Sequence, residues 1–492
     1  MNQEYQTGQG NAEYHYDPQR LAKMREMRKQ EGIKSFQEYG KWGAYFAALF
    51  VFCTYRNPSG IAYVLLMAEC LWLFRKVRGR RGGKMQLFYE ISLILLSIGV
   101  CTTGSGTLRN LNFFAMMLLG ASMCVHAYCE DKDWGIARHL LGVLRVLLMP
   151  IRHLNAPFAD CFAYNGERRK GKTSRYTKSI LLGILIAIPL LVVVLGLLSG
   201  ADEVFEQVLN QVAAALILPE RLLDLIRILV WFVLAFICFY TVLRFMPKEA
   251  EEMSAERAVR RHDPVTAVTF MSILGVVYVV FAVIQLVFLF GRHSLPAEFT
   301  YAEYAHRGFA QLVVVCLLNL VLITICGSFF RDHKILNLIL VIVCLSTYVM
   351  IASSAVRMVM YIEEYNLTFL RLFVLWFLVV LALWLTFILI GIIRKHGNIF
   401  RKCLIAITVL YLAFSFLHPD YWIARINMAA AAGEELEDEY YVLGLSVDAL
   451  PAIAKDPRLL EKKKNMDDSF DKKLSYDPRQ LNLMELVMRR YY

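Results

Sequence analysis

Charge is what this sequence is short of. Asp, Glu, Lys and Arg make up 19% of its 492 residues, below the roughly one quarter of an ordinary soluble chain. What charge there is gathers in short blocks between long apolar runs. That distribution excludes the two or three water-facing domains that a soluble chain of this length would form. Catalytic signatures are missing as well. There is no HExxH pair for a zinc hydrolase and no GxSxG nucleophile turn, so no catalytic residue and no cofactor is assigned. No cysteine follows Cys403, which leaves the polar tail without a disulfide framework. The first forty or so residues hold no apolar stretch, so no cleavable signal peptide is expected and the first apolar run is expected to act as the insertion signal. No short-period repeat of the solenoid kind is present.

Apolar side chains fill the space that charge vacates, at 58% of the chain. Their runs predict an all-α, polytopic membrane protein with about eleven transmembrane helices. The expected spans are 42–55, 61–74, 85–103, 111–129, 179–199, 228–246, 265–291, 308–330, 335–355, 370–393 and 403–417. The first two are short for a perpendicular helix, which needs about 20 residues. They are read as tilted spans or as a re-entrant hairpin around the turn Asn57-Pro58-Ser59-Gly60.

The net charge of +11 would suit nucleic acid, but the positions of the cations point to lipid. With the amino terminus in the cytoplasm, successive inner segments hold 7, 6, 10, 5, 2 and 4 Lys and Arg, and the outer loops 1, 1, 2, 2 and 2. The remaining 11 of the 53 lie after residue 417. The expected organisation is therefore a cytoplasmic polar segment 1–41, a helical membrane domain 42–417, and a small extracytoplasmic C-terminal segment 418–492. Residues 138–154 carry Arg138, Arg145 and Arg152 among Leu140, Leu141, Leu144, Leu147 and Leu148, which suits an amphipathic helix on the inner leaflet.

Two motifs invite a sharper reading. Gly166 to Thr173 matches the phosphate-loop pattern GxxxxGK[ST], with Gly171 and Lys172 in place. A genuine phosphate loop follows a buried strand, and 156–165 is not one, so no nucleotide is assigned. His126 between Cys124 and Cys129 supplies three donors that do not share a helix face, so no metal is assigned.

Polar groups inside a bilayer are costly and therefore informative. Glu69 is the one carboxylate expected well inside a span, with Gln285 and Asn319 as further intramembrane candidates; each of the latter two could simply cross-link helices.

Three stretches resemble a known family. The first runs from Thr300 through Glu303, Tyr304 and Arg307 to Phe309. The second carries Arg357, Tyr361, Glu364, Tyr365, Thr368 and Arg371. The third opens the tail with Ile423, Arg425 and Asn427, followed by Asp438, Tyr441, Leu445, Ser446, Asp448, Pro451 and Ala452. Ser199, Asp202 and Phe205 form a fourth, shorter match. Together they resemble the bacterial multi-pass membrane proteins of the domain-of-unknown-function family 4173, related to family 4153, over residues 85–455. The resemblance implies a bacterial inner-membrane setting and no mechanism. One departure is Asn366, where the family pattern implies Gly; Asn tolerates the left-handed conformation better than most residues.

All these motifs fall on the predicted outer side. They are either structural caps where helices meet water or an extracytoplasmic site roofed by the tail. The candidate outer-face cluster is Glu303, Tyr304, Arg307, Arg357, Tyr361, Glu364, Ser446 and Asp448. The expected function is a non-enzymatic sensing, scaffolding or regulatory protein of the bacterial cytoplasmic membrane, partnered by lipid and by another membrane protein. A transporter or lipid-handling protein is the alternative.

Overall fold

The computed structural model describes residues 18–78, 82–132, 134–168, 183, 187, 190, 191, 194–215, 220–255, 262–290, 309–394, 399–431, 438–466, 478–489 and 491. Every regular element among them is a helix, and two compact units are formed: Met1–Ala48 with Met149–Arg244, and Leu49–Leu148 with Phe245–Tyr492.

The helices begin where short polar side chains and prolines dictate. Asp202 accepts from the backbone N–H groups of Val204 (2.8 Å) and Phe205 (3.2 Å), capping Glu203–Ala215. Asp263 caps Pro264–Phe290 through Val265 N at 3.0 Å, and Asp456 caps Pro457–Met466 through Arg458 N at 2.9 Å. In both, proline takes the first helical position, where a missing N–H costs nothing.

In order, the helices are α1 (Pro18–Thr54), α2 (Ile61–Arg78), α3 (Lys84–Thr102), α4 (Gly106–Tyr128), α5 (Ile136–Arg152), α6 (Ala156–Arg168), α7 (Glu203–Ala215), α8 (Glu220–Ala255), α9 (Pro264–Phe290), α10 (Phe309–Phe329), α11 (Lys334–Tyr365), α12 (Phe369–Arg394), α13 (Ile399–Phe416) and α14 (Pro419–Ala430). The tail adds α15 (Glu439–Gly444), α16 (Leu450–Ile453), α17 (Pro457–Met466) and α18 (Leu483–Met488).

In the first unit, Phe158 and Phe162 of α6 pack on Val233 and Ile237 of α8. Asp160 sits beside this core and accepts from the Tyr240 hydroxyl at 2.7 Å, with Arg244 paired to the same carboxylate.

Among the described residues, the second unit shows three cores. Met271 of α9, Leu320 and Ile323 of α10, Val343 of α11 and Leu385 of α12 belong to one. Leu71, Leu93, Leu96 and Leu119 join α2, α3 and α4 in another, with Leu404 and Leu412 of α13 against it. The third lies in the tail, where Ile423, Ala424, Val442, Leu443, Ala449 and Ile453 close over Leu367. Outward faces stay apolar: Ile273, Val276, Val280 and Val283 of α9 are all exposed. A helix apolar all round is compatible with a membrane span.

Seven of the described helices are long and apolar enough to cross a membrane, or eight if α13 and α14, bent by 59°, form one span. This is coarser than the eleven expected, for identifiable reasons. The run 42–55 is the end of the continuous α1, 37 residues long and polar over its first half. The 18-residue α2 carries Glu69, Arg75, Lys76 and Arg78, too many charges for an apolar window of that length. Residues 179–199 lie mostly outside the described residues. The α13–α14 bend falls at His418, whose φ of 49° precedes Pro419. Proline cannot continue the hydrogen-bond ladder of the preceding helix.

The segment before the phosphate-loop match is α6, and Gly166 lies within it. A helix stands where a phosphate loop requires a strand; residues 169–173 are outside the described residues. Along α5, Leu140, Leu141, Leu144 and Leu148 are exposed while Val143 and Val146 are buried.

Candidate functional site

The turns 55–60, 103–105 and 366–368 gather at one end of the second unit, and the tail binds to all three. At the α1–α2 turn, Ile61 N donates to Leu481 O (3.1 Å), Gln480 Nε2 to Arg56 O (2.9 Å) and Arg479 to Phe52 O (2.7 Å). Gly60 adopts φ 122°, and a Cβ there would fall 2.5 Å from Arg479 O. Only glycine allows this approach.

At the α3–α4 turn the tail places a carboxylate. Asp448 is 1% exposed. It accepts from Thr103 Oγ1 (2.5 Å) and Gly104 N (2.6 Å), with His418 Nδ1 at 3.2 Å from Oδ2. Ser446 caps the single turn carrying it, accepting from Asp448 N at 3.3 Å. Asn482 donates to Thr103 O at 2.9 Å. Asp420 is buried beside this cluster and accepts from Ser446 N at 3.3 Å. Burial pushes its carboxyl above the usual carboxylate range, opposed by the Ser446 hydrogen bond and reinforced by the Asp448 charge.

At the α11–α12 turn, Asn427 donates to Leu367 O and accepts from Leu367 N, both at 2.9 Å, imitating a backbone pairing. Phe369 N donates to the Tyr441 hydroxyl at 2.7 Å. Arg371 lies over the Tyr361 ring at 4.3 Å and donates to the carbonyls of Tyr365 and Asn366. Lys463 is buried, donating to Leu443 O (2.6 Å) and Leu445 O (2.8 Å) where α15 ends. A cation there satisfies the last carbonyls and the helix dipole together.

Of the expected outer-face cluster, Ser446 and Asp448 share this site. Tyr361 stands under Arg371 and Glu364 is exposed. Arg357 points elsewhere: it is 8% exposed and donates to Gln285 Oε1 at 3.2 Å, to which Ser353 also donates at 2.6 Å. Glu303, Tyr304 and Arg307 lie outside the described residues. Asn319 is fully buried and donates to Thr347 Oγ1 at 3.0 Å. Glu69 is half-buried on α2. His126 pairs with Asp131 at 2.9 Å rather than with either neighbouring cysteine. Among the described residues no three His, Cys, Asp or Glu side chains converge as metal ligands would.

Sequence reasoning missed Thr103, His418 and Asp420. His418 and Asp420 flank Pro419 at the break between two helices, a signal that could have drawn attention to them. Thr103 carries none, since a threonine at a helix end is commonplace.

One family model matches the chain, over residues 91–455; its description is "Domain of unknown function (DUF4153)". No curated protein and no solved structure matches.

Proposed function

Because this chain belongs to the DUF4153 family, we propose a function drawn from its geometry: a non-enzymatic scaffold or sensor in the bacterial cytoplasmic membrane, whose tail is a fixed extracytoplasmic cap. Within that family, the order of the three motifs supports kinship with family 4173. The carrying observation is Asp448, buried and held by Thr103, Gly104 and His418. Its polar capacity, like that of Asn427 and Lys463, is spent on docking the tail. Such a cap presents its outer surface, including Tyr440 at 83% exposure, on a rigid support. That surface is the place for another membrane protein to bind.

Eleven spans with the amino terminus inside remain the best topology. The cation alternation supports it, and so does the gathering of the cation-poor turns 55–60, 103–105 and 366–368 beneath the tail. Alkaline phosphatase fused near Glu220, Glu303 or Asp448 is expected to be active, and near Arg80, Lys170 or Arg257 inactive. Activity at Arg257, or none at Asp448, would overturn the topology.

The transporter alternative draws on Asn319, whose Oδ1 is buried with no hydrogen-bond partner among the described residues. Solute flux into proteoliposomes that is lost in Asn319→Leu would replace the scaffold reading with transport. No flux above that of protein-free liposomes supports the scaffold.

A further inference from the structure

The other end of α3 and α4 holds a second buried polar group, unconnected with the tail. Asp131, in the turn after α4, accepts through Oδ1 from His126 Nδ1 at 2.9 Å and from Arg401 of α13. Its second oxygen, Oδ2, faces His139 Nδ1 of α5 at 3.8 Å, too far for a hydrogen bond. His139 is 1% exposed, and its Nδ1 is buried with no hydrogen-bond partner among the described residues. Its other nitrogen, Nε2, lies 2.8 Å from Ser122 Oγ, which is itself 2.8 Å from the Tyr89 hydroxyl. The rings of Phe400 at 4.1 Å and Trp134 at 6.4 Å enclose the imidazole.

A neutral imidazole leaves Nδ1 without a hydrogen bond among the described residues. It either turns a lone pair toward a carboxylate or holds an N–H across a gap that it does not bridge. One added proton gives both nitrogens a donor role, Nε2 to Ser122 and Nδ1 toward Asp131. The charged ring then sits in an apolar enclosure and is repelled by the nearby Arg401 guanidinium. We propose that the Asp131–His139 pair is a proton-uptake site, and that charging it releases the start of α13 from the α4–α5 turn.

Among the described residues, the charged and titratable groups acting on His139 are Asp131 on the turn, His126 on α4 and Arg401 on α13, with Tyr89 of α3 reached through Ser122; Glu130 and Lys132 on the same turn are exposed. Burial holds the His139 pKa down, from 6.5 to about 4, with Asp131 opposing. A histidine depressed in the closed form binds its proton better in the open one. The closed form is therefore fully favoured above pH 6.5 and loses ground as pH falls toward about 4. Burial raises the Asp131 carboxyl, but its bonds from His126 and Arg401 outweigh this and hold it below 3.8, outside that window.

Hydrogen exchange of the full-length protein in lipid nanodiscs, corrected for the intrinsic chemical rate, tests the site. Opening of 129–140 and 399–404 is expected to rise about tenfold per pH unit below pH 6.5 in the wild type and in His126→Gln. It should be flat in His139→Gln. Trp134 fluorescence, taken as wild type minus Trp134→Phe, is expected to fall over the same window as an imidazolium forms beside the indole. A pH profile in His139→Gln equal to the wild type, or protection that grows on acidification, would overturn the proposal. Should His139→Gln not fold, the fluorescence decides alone: no transition on acidification from pH 6.5 to below 4 would sink it.

Discussion

Thr103 and Asp448, 345 residues apart, share a 2.5 Å hydrogen bond at the end of α3, and neither side chain is open to solvent. Asp448→Ala would leave the buried Thr103 hydroxyl and the half-buried Gly104 N–H without their acceptor. Orphaned buried donors and a lost charge-assisted bond together cost about 3 kcal/mol. Thermal unfolding in detergent should shift down, and 439–489 should become protease-sensitive before the helices do. A wild-type proteolysis pattern would show that Asp448 does not hold the tail.

Asp420 makes the opposite kind of contribution. Its carboxyl is raised by burial, so ionising it weakens the fold. Stability from this group is greatest below its unfolded pKa of 3.8 and is lost as pH climbs through its higher folded value. Asp420→Asn keeps an acceptor for Ser446 N and should stabilise the protein at pH 7, with the advantage shrinking as pH is lowered toward 4. Thermal unfolding of both proteins across that range measures it; a variant less stable at neutral pH would contradict the reading.

At the α11–α12 turn, Asn366 has φ 65° and ψ 168°. This is not the left-handed helical region that Asn tolerates but the extended positive-φ region that belongs to glycine. Asn366→Gly is therefore expected to stabilise by about 1 kcal/mol and Asn366→Val to destabilise by a similar amount or more. Asn427→Ala removes both bonds to Leu367 and should cost about 2 kcal/mol. Melting temperatures that rank the two position-366 variants the other way would refute the assignment.

For the phosphate-loop match, Lys172→Ala is expected to leave nucleotide binding unchanged, because a helix precedes the loop. Isothermal titration with ATP and magnesium checks this. Saturable binding by the wild type, abolished in the variant, would reverse it.

Much of the architecture was legible in the chain. Apolar runs marked where helices cross, because a bilayer admits only backbones that satisfy themselves internally. Polar blocks marked the breaks between those runs, whereas the Asp-Pro pairs at 263–264 and 456–457 were recognised as helix starts only in the structure. Asn427 and Tyr441 were singled out within their motif, although nothing local says that they bind the turn after α11. The span count was less legible. Runs of about fourteen residues do not reveal whether a helix continues beyond them, and α1 does.

What the sequence determined by itself is helical class, apolar faces and cation alternation, all properties of neighbours along the chain. Only the tertiary structure decided that Gln285 meets Arg357, that Asp131 meets both Arg401 and His139, and that Asp448 meets Thr103. The physical reason is that periodicity specifies which face of a helix is apolar, not which helix it packs against. That choice is made by the fit of whole surfaces, and in a lipid solvent, where burying one apolar face rather than another gains little, packing and buried hydrogen bonds settle it.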